Sequence, residues 1–461
     1  MKSIYIFRRD FRTYDNLALI KCVEESSEIL PIFIFTPEQI NPKKNHYFSN
    51  NAVQFMVESL IDLDNNLDKV YHSKLHYFAG DNVDILKRVR EKYDFKAIYY
   101  NRDYTPYARR RDEEIEKWAA KNNITINTAE DYLLMPMGTF LKTDKTPYLV
   151  YGPFKKNAKL TPVPQPIQQL NANGKFIKWK DTREEPNLNE FFTPNPDIIY
   201  HGGRQNALLK IQGLNKFKNY SGERNDLTKS TTNLSAYIKF GCVSIREVYH
   251  KILKLFGINH GLIDQLYWRE FYFYLVYYIP RVLEGKGLKE KYDKIKWGNN
   301  PDSIHAWKDG KTGFPVVDAA MREMNTTGFM HNRGRLITSA ILIKILNCDW
   351  RIGEEYFATQ LVDYDPSVNN GNWQWGAGCG ADSQPYFRIF NPWTQAKDYD
   401  PDCIYIKRWV PELKDVPCKD IHNWDKTYSK YQKSTKYPGP IVDYKEARVK
   451  IMDVYKKALY H

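Results

Sequence analysis

Short apolar runs alternate with amphipathic stretches through the first 130 residues, and this alternation constrains the fold most strongly. Four runs have the length and the β-branched and aromatic content of buried strands, namely IYIF (4–7), ILPIFIF (29–35), LHYFA (75–79) and AIYY (97–100). The segments between them carry apolar residues at helical spacing, at 15–26, 53–67 and 83–93. The pattern predicts an α/β domain with a doubly wound parallel sheet over residues 1–130.

The character of the sequence changes twice after residue 130. Residues 131–204 are rich in Pro, Asn, Gln and Lys and show little periodicity, which predicts an interdomain connector lying on the surface. Helical patterns dominate residues 205–461 and are clearest at 207–217, 245–256, 264–279 and 335–346. We therefore expect an all-helical carboxy-terminal domain.

Several classes of protein are excluded by composition. The longest apolar run, FYFYLVYYI at 271–279, is about half of the roughly 20 residues that a membrane-spanning helix needs. Charged side chains between residues 8 and 12 interrupt the amino-terminal segment before a signal-peptide core could form. We expect an intracellular monomer, cytoplasmic or nuclear according to the host, that is not secreted and has no membrane span.

Cysteine and histidine spacing argues against disulfide and metal chemistry. The six cysteines contain no C-x-x-C pair and are spread widely, so free thiols are expected. His72 and His76 lie four residues apart, but no other ligand type clusters with them in the sequence. The prediction is that the protein has no metal site.

Glycine-rich segments do not indicate nucleotide hydrolysis. The segment Gly310-Lys311-Thr312 resembles the end of a phosphate-binding loop, but His305 stands where the first glycine of that loop belongs. The segment GAGCGA at 376–381 follows no predicted strand, so both segments are interpreted as turns. There is also no G-x-S-x-G motif, which leaves hydrolytic and acyl-transfer chemistry without a candidate nucleophile.

Charge and aromatic content indicate the class of partner. The net charge is +13, and 15% of the residues are aromatic. A folded chain of this charge attracts polyanions, and exposed aromatic rings stack on nucleobases, so nucleic acid is the favoured partner. The segment 363–392 combines Asp, Asn and Gly, which are poor helix formers, with Trp and Arg, and is predicted to build a pocket.

Specific segments resemble the photolyase and cryptochrome family. The helical part does so in YWREF (267–271), GKTGFPVVDAAMREMNTTGFMHNRGR (310–335), DWRIGEEYF (349–357), NNGNWQW (369–375) and PYFRIFNP (385–392). The first part resembles the antenna domain of that family in IYIFRRDFRTYDNLAL (4–19) and YYNRDYTPYARRRD (99–112). The likeness runs in order along nearly the whole chain and implies a blue-light-dependent enzyme that binds FAD in the helical domain and repairs ultraviolet-damaged DNA.

The resemblance also implies which residues bind the flavin. At the adenine and pyrophosphate end it assigns Tyr220, Thr231, Thr232, Leu234 and Ser235, whose hydroxyls and backbone N–H groups at a helix start suit a phosphate. Beside the isoalloxazine ring it assigns an ion pair between Arg335 and Asp363, a neighbouring contact from Asp365, and Asn369 opposite flavin N5.

The residue type at position 369 bears on the choice between repair and signalling. A neutral amide can accept or donate a hydrogen bond in several redox states of the flavin, whereas a carboxylic acid can protonate the ring. This chain resembles photolyases in having Asn at this position, whereas plant cryptochromes have Asp. Asn369 therefore favours a repair enzyme over a photoreceptor.

Five tryptophans match functional positions of the family. Trp373, Trp350 and Trp297 match the chain of indoles that passes electrons from the surface to the flavin. Trp268 and Trp375 match the two indoles that hold a flipped-out dinucleotide, where stacking is worth roughly 1–3 kcal/mol per base. The resemblance therefore assigns electron transfer to the first three and lesion binding to the other two.

Three further residues bear on which lesion is repaired. Asn332 and Leu336 stand where enzymes for cyclobutane dimers usually have Asn and Met, and where enzymes for the (6-4) photoproduct have two titratable His. Gln265 instead favours the (6-4) photoproduct, because the cyclobutane-dimer enzymes of the closest type have Glu at this position and (6-4) enzymes have Gln. The cyclobutane dimer is the predicted substrate, with the (6-4) photoproduct as the alternative.

The resemblance extends to DNA contacts and to a second chromophore. Arg224, Arg333 and Arg388 match positions near the DNA phosphates. An antenna chromophore is also implied, but Ala108 stands where folate-binding relatives carry Glu, so folate is disfavoured. A deazaflavin, a second flavin or no antenna remain open.

Two alternatives from other classes remain. A cryptochrome-type blue-light photoreceptor would share the fold and signal through a partner. A flavin-independent, sequence-specific DNA binder would share only the positive charge.

Overall fold

The computed structural model describes residues 1–167, 170–172, 174–179 and 185–460. Its amino-terminal part contains one sheet of five parallel strands, in the order β3-β2-β1-β4-β5. The strands are β1 (Lys2–Phe7), β2 (Glu28–Phe35), β3 (His76–Ala79), β4 (Ala97–Asn101) and β5 (Thr125–Ala129). The predicted doubly wound parallel sheet is therefore confirmed.

Helices cover both faces of this sheet, as its alternating side chains require. They are α1 (Leu17–Glu25), α2 (Pro37–Ile40), α3 (Asn50–Tyr71), α4 (Asn82–Lys92) and α5 (Pro106–Lys121). Ile4 and Ile6 of β1 share an apolar cluster with residues of α4 and α5, whereas Tyr5 and Phe7 share one with residues of α1 and α3. Burial on both faces explains why these strands read as continuous apolar runs.

The strand order reverses between β1 and β4, and charged side chains collect at that point. Arg8 and Arg9 follow β1, and Asp103 follows β4, so they meet beyond the carboxyl ends of the two strands. Arg9 pairs with Asp103 at 3.1 Å. In open α/β sheets this crevice is the usual place for a ligand.

Residues 131–204 contain little regular structure where they are described. They form α6 (Tyr151–Ala158) and a short 3₁₀ turn at Leu188–Glu190. Residues 168, 169, 173 and 180–184 of the predicted connector lie outside the described residues.

The rest of the described chain is helical. Its α-helices are α7 (Arg204–Gln212), α8 (Tyr220–Glu223), α9 (Ser235–Lys239), α10 (Ile245–Phe256), α11 (Gly261–Tyr278), α12 (Pro301–Lys308), α13 (Pro315–Thr327), α14 (Asn332–Lys344), α15 (Trp350–Gln360), α16 (Pro366–Ala377), α17 (Pro392–Tyr399), α18 (Ile404–Trp409), α19 (Cys418–Ile421), α20 (Trp424–Thr435) and α21 (Tyr444–Tyr460). Short 3₁₀ helices lie at Gly213–Phe217, Pro280–Glu284, Glu290–Lys294 and Pro411–Leu413. The predicted helical domain is confirmed as a helical part; its boundaries stay predictions.

Helix α16 lies in the segment 363–392, which was predicted to build a pocket because several of its residues are poor helix formers. Asp365 caps its first turn by accepting a hydrogen bond from the Ser367 amide at 3.1 Å, Pro366 begins it, and Gly378 ends it in the left-handed conformation with φ +88°. These signals at its two ends and burial of Trp373 outweigh the low intrinsic propensity of its Asn, Gly and Trp residues.

Two other sequence predictions have different outcomes. The prediction of six free thiols is wrong for Cys403 and Cys418, which form a disulfide; the other four cysteines are free and buried. The cysteines are 15 positions apart in the sequence, and spacing alone gave no sign that the fold brings them together.

The interpretation of Gly310-Lys311-Thr312 as a turn is confirmed, since it connects α12 and α13. No helix in the described part of the chain is long and apolar enough to cross a membrane.

Candidate functional site

An ion pair and a hydroxyl fix one carboxylate between α9 and α14. Arg335 Nη2 lies 3.0 and 2.9 Å from the two carboxylate oxygens of Asp363, and Ser235 Oγ donates to the same carboxylate at 2.7 Å. Burial alone would raise the pKa of Asp363, but the charge of Arg335 and these hydrogen bonds outweigh it and hold the pKa below its usual value. The structure thus brings together three residues that the resemblance assigns to the flavin.

Asn369 is held in one orientation by Glu354 of the neighbouring helix α15. The Asn369 Nδ2 group donates to the backbone carbonyl of Glu354 at 3.1 Å and to its Oε1, also at 3.1 Å. Both N–H bonds of the amide are used in this way, so any further hydrogen bond made by this side chain is accepted by its Oδ1. Burial raises the pKa of Glu354 to about 7.

Arg9, from the end of β1, reaches the same region from the other part of the chain. It pairs with Asp365, and its Nε donates to the backbone carbonyl of Lys239 at 3.1 Å. Lys239 Nζ in turn donates to the carbonyl of Val362 at 3.2 Å. Burial, with the charge of Arg9, lowers the pKa of Lys239 to about 7. The amino-terminal sheet therefore anchors the segment that carries Asp363 and Asp365.

A cavity lies beside the loop that leads into α9. Its volume is about 250 Å³, and its lining includes Tyr220, Glu223, Arg224, Lys229, Ser230 and Thr231. Glu223 pairs with Lys229 at 2.8 Å, which leaves Arg224 and the hydroxyls of this lining to suit a phosphate-bearing ligand. Thr232 is half-buried in the same loop, and Leu234 is buried at its end.

The three tryptophans assigned to electron transfer lie in or against one apolar cluster and differ in burial. Trp373 and Trp350 are buried members of one apolar cluster, and the half-buried Trp297 packs against that cluster. Trp373 lies one helical turn from Asn369, on the same side of α16. Gly353 of α15 permits close packing here, because a Cβ atom on it would lie 2.1 Å from Trp373 Cη2.

Trp375 and Trp268 lie on helices α16 and α11, and both are half-buried. Trp375 is two residues from Trp373, so the two indoles leave α16 on different sides. Tyr151 of α6 stacks on Trp268 with ring centroids 3.6 Å apart and an angle of 10° between the rings. The Tyr151 hydroxyl donates to the Asp264 carbonyl at 2.7 Å, and this hydrogen bond holds the Tyr151 ring against Trp268.

The remaining residues of the predicted lesion pocket differ in exposure. Asn332 is exposed and Leu336 half-buried, and they lie one turn apart on the same face of α14. Gln265 is half-buried, and its Nε2 makes a long contact of 3.5 Å with the Gly261 carbonyl. His331 precedes Asn332, and burial, together with nearby arginines, lowers its pKa to about 4.

The three arginines assigned to DNA are not equivalent. Arg224 and Arg388 are exposed, as phosphate-binding residues should be. Arg333 is half-buried: its Nη2 donates to Asn225 Oδ1 at 2.7 Å, and its guanidinium lies 4.2 Å from the centre of the Tyr399 ring. Arg333 is therefore already engaged by protein groups.

Sequence reasoning missed several residues of this region. Glu354, Tyr151, Arg9 and Lys239 contact assigned residues but were not singled out, because each contact joins positions that no local motif connects. Arg9 and Glu354 had a signal, since they lie in the segments IYIFRRDFRTYDNLAL (4–19) and DWRIGEEYF (349–357).

The arrangement fits a flavin nucleotide. It offers a fixed acceptor oxygen on Asn369, an ion pair between Arg335 and Asp363, and a cavity whose lining includes Arg224 and several hydroxyls. A buried aromatic cluster adjoins the Asn369 face of α16. Such a site can hold a redox cofactor and supply it with electrons from the surface.

Comparison with known proteins agrees with this chemistry. Residues 3–170 match the family described as DNA photolyase, and residues 262–457 match the FAD binding domain of DNA photolyase. The deoxyribodipyrimidine photo-lyase of Escherichia coli strain K12 is 35% identical to this chain, and the similarity covers 98% of both.

Two solved structures are similar along their whole length. One is an archaeal photolyase from Sulfolobus tokodaii, which is described with two FAD molecules that imply a novel light-harvesting cofactor. It is 38% identical to this chain with a TM-score of 0.88, and the similarity covers 99% of this chain and 100% of that one. A bacterial class III photolyase from Agrobacterium tumefaciens is 30% identical with a TM-score of 0.90 and covers 100% of this chain and 98% of its own. Each similarity spans the sheet as well as the helices.

Proposed function

The chain belongs to the DNA photolyase family, and from this premise we propose that it is a deoxyribodipyrimidine photo-lyase that binds FAD and splits cyclobutane pyrimidine dimers in DNA under blue light. The observation that carries the proposal is the fixed amide of Asn369. Its Oδ1 is an acceptor, which suits the N5–H of a reduced flavin, the form that donates electrons.

Each assigned group has a distinct part in the reaction. When bound, FAD supplies an electron to the lesion after absorbing light. Arg335, Asp363 and Ser235 orient the flavin, and Asn369 accepts its N5 proton in a hydrogen bond. Trp373, Trp350 and Trp297 conduct electrons inward from the surface. Trp268 and Trp375 hold the flipped-out dimer by stacking, and Gln265 donates to a pyrimidine carbonyl.

The residues of the lesion pocket support the cyclobutane dimer as the substrate. Splitting this lesion needs an electron to enter and leave, whereas reversal of the (6-4) photoproduct also needs a proton donor. Asn332 and Leu336 cannot titrate, and the low pKa of His331 keeps it neutral near pH 7. The described residues around Asn332 thus offer no histidine that is charged at that pH.

DNA is bound through its phosphates by exposed cations. Arg224 and Arg388 contact the backbone directly, while Arg333, held by Asn225 and Tyr399, presents its remaining N–H bonds. The net charge of +13 attracts DNA regardless of sequence. A damaged pair is cheaper to unstack than an intact one, which adds selectivity. The protein acts as a monomer in the compartment that holds the DNA, the cytoplasm or the nucleus according to the host.

An antenna chromophore binds at the point where the sheet order reverses. Buried Nη2 atoms of Arg8 and Arg111 have no hydrogen-bond partner among the described residues, and Arg8 lies over the Tyr100 ring at 3.7 Å. Such a set suits an aromatic, phosphate-bearing molecule. Since the Sulfolobus tokodaii photolyase is described with two FAD molecules and Ala108 disfavours folate, we favour a second flavin over a deazaflavin.

The substrate is tested with two oligonucleotides, one carrying a single cyclobutane thymine dimer and one a single (6-4) photoproduct. With the flavin fully reduced and under blue light, the first is expected to be converted to intact thymines and the second to be unchanged. Gln265 favours the (6-4) photoproduct as the second candidate, and conversion of only that oligonucleotide would establish it instead. Size-exclusion chromatography with light scattering tests the monomer.

A further inference from the structure

Two cysteines and a histidine converge at one edge of the helical part. Cys403 immediately precedes α18, Cys418 begins α19, and His422 immediately follows α19. Because Cys418 and His422 are four positions apart, their side chains leave this turn on the same side. Cys403 is buried, whereas Cys418 and His422 are half-buried, so solvent reaches the cluster. These three residues have no part in the flavin or DNA sites described above.

The imidazole of His422 faces both sulfur atoms. Its Nε2 lies 3.3 Å from Cys403 Sγ, 3.7 Å from Cys418 Sγ and 3.2 Å from the backbone carbonyl oxygen of Asp400. Cys418 Sγ also lies 3.1 Å from the carbonyl oxygen of Pro401. Two sulfur atoms, one imidazole nitrogen and two carbonyl oxygens therefore surround one small volume.

We propose that, once the disulfide is reduced, Cys403, Cys418 and His422 form a binding site for a thiolate-preferring divalent cation of the Zn²⁺ class. Zinc binds sulfur at about 2.3 Å and imidazole nitrogen at about 2.0–2.1 Å in tetrahedral sites, which places sulfur and nitrogen ligands roughly 3.5 Å apart. The two distances from His422 Nε2 to sulfur bracket that value.

The chemistry of the interconversion balances with a dithiol as reductant. The dithiol gives two electrons and two protons to the Cys403–Cys418 bond, which becomes two thiols, while the dithiol closes into its own cyclic disulfide. On binding the cation the two thiols release their protons to solvent and act as thiolates, and His422 acts as a neutral ligand. The fourth position falls to a water molecule or to a neighbouring carbonyl oxygen.

The carboxylate of Asp400, which interacts electrostatically with His422, is already committed elsewhere. Asp400 accepts backbone hydrogen bonds from Tyr405 at 3.1 Å and from Ile406 at 2.8 Å. It thereby caps α18 and is not needed as a ligand. The ligand set is thus two thiolates and one imidazole, which selects Zn²⁺ over Mg²⁺ or Ca²⁺.

The test uses the flavin-bound protein reduced with dithiothreitol and desalted without oxygen. Thiol counting under native conditions is expected to show two thiols more than in the untreated protein. Titration with Co²⁺, while the flavin is oxidised in the dark, is expected to give the visible absorption of a tetrahedral thiolate site at one equivalent, and Zn²⁺ should displace it. X-ray absorption of the zinc-loaded protein should show two sulfur neighbours.

Variants show whether these side chains are the ligands. Cys418→Ser and His422→Gln should weaken Co²⁺ binding by more than the roughly 10–100-fold that loss of an outer-shell partner costs. The exposed His305→Gln on α12 is the matched control and should bind Co²⁺ like the parent protein. The proposal is overturned if the disulfide resists the dithiol in the folded protein, or if the reduced protein gives no Co²⁺ band. It is also overturned if both ligand variants bind Co²⁺ as tightly as the parent protein does. Dimer repair does not enter these readouts, so they are independent of the proposed function.

Discussion

Glu354 orients Asn369, the side chain that the proposed function places opposite flavin N5. It holds both N–H bonds of the Asn369 amide, so that the acceptor oxygen is the atom presented. Sequence comparison with the family points to Asn369 itself but not to the group that orients it. The structure therefore adds to the proposed chemistry the residue that orients Asn369.

Replacing Glu354 should lower the reduction potential of the bound flavin. In Glu354→Leu the amide keeps its bond to the backbone carbonyl of residue 354 but loses its bond to the carboxyl group, so it turns more easily. A reduced flavin then loses up to one acceptor worth about 0.5–1.5 kcal/mol, or about 10–30 mV for a two-electron couple. The measurement is a spectroelectrochemical titration near pH 6, where the Glu354 pKa of about 7 keeps the parent carboxyl mostly neutral. Glu355→Leu, at an exposed neighbouring position, is the control. Equal potentials for Glu354→Leu and the parent would show that Glu354 does not orient the amide.

Glu270 should make stability fall as pH rises. It is fully buried, its Oε1 accepts a hydrogen bond from the Leu134 amide, and burial raises its pKa from 4.5 to about 8. The folded protein thus keeps a proton that the unfolded chain releases near pH 4.5. The resulting stability is complete below that pH and is lost as pH rises through 8, by up to about 1.4 kcal/mol per pH unit.

The Glu270→Gln variant cannot titrate, so its stability should decline less between about pH 5 and pH 8. Urea-unfolding midpoints at several pH values in this window measure the difference. The exposed Glu446→Gln on α21 should keep the parent's slope. Parallel curves for Glu270→Gln and the parent protein would contradict the assignment.

Among the elements, the close approach of α15 to α16 positions Trp373, the first indole of the proposed electron path. A methyl group at Gly353 would lie 2.1 Å from Trp373 Cη2, so Gly353→Ala must displace that ring. Light-driven reduction of the flavin should slow by about tenfold or more, since a shift of about 1 Å can strongly impair a positioned reaction. Stability should fall by about 1–3 kcal/mol through overpacking.

A repair assay distinguishes displacement of the Trp373 ring from a general loss of folding in Gly353→Ala. When the flavin of Gly353→Ala is reduced chemically beforehand, dimer splitting should proceed at the parent rate, because the tryptophans are then not needed. Gly213→Ala, where an added Cβ meets nothing within 4 Å, is the control and should behave like the parent in both assays. Unchanged light-driven reduction in Gly353→Ala would refute the role of this packing.

Helix α6, in the connector, packs against Trp268, which the proposed function assigns to lesion binding. Tyr151 stacks behind Trp268, and Lys155 pairs with Asp264 at 3.1 Å, which docks α6 on the start of α11. An aromatic pair is worth about 0.5–1.5 kcal/mol beyond its buried area, so Tyr151→Ala should weaken binding of dimer-containing DNA by about 2–13-fold. Tyr151→Phe keeps the ring and should restore most of the affinity.

The readout for Tyr151 is a filter-binding or fluorescence titration with damaged and undamaged oligonucleotides. Only the affinity for damaged DNA should change, because Tyr151 supports the indole that holds the lesion. Equal weakening on both oligonucleotides, or no rescue by Tyr151→Phe, would mean that α6 acts on the fold in general and not on Trp268.

Regular elements were predictable where the periodic pattern was strong. Helix α10 has the predicted bounds, 245–256, because its apolar face is unbroken. Strand β5 was missed, since its sequence TINTA is polar and half-exposed at the edge of the sheet. Helix α16 was read as a pocket-forming segment, because its stability comes from its ends and from tertiary packing and not from intrinsic propensity.

On the scale of the whole molecule, buried charges join the sheet to the helices. Arg246 of α10 pairs with Asp15 at 3.0 Å and with Asp131 at 2.7 Å, and Arg9 pairs with Asp365. These partners lie more than 100 positions apart, so no sequence window could connect them. The amino-terminal part thus helps to shape the flavin site in addition to any antenna it carries.

Knowledge of the family supplied most of the candidate site, and local pattern supplied little of it. The flavin and lesion residues were assigned by matching segments, whereas Glu354, Tyr151 and the Cys403–Cys418 pair became visible only through contacts between distant segments. Composition indicated the nucleic-acid partner through charge but could not indicate the lesion.

The central claim is that light absorbed by a reduced flavin in this chain splits the cyclobutane dimer. Its most direct test is an action spectrum: an oligonucleotide with one thymine dimer is irradiated at a series of wavelengths with the fully reduced protein, and intact product is counted per absorbed photon. Splitting should be absent in the dark and should follow the absorption of the reduced flavin, with an added band if a second chromophore is bound. Absence of splitting at every wavelength, with flavin reduced and the dimer bound, would contradict the account.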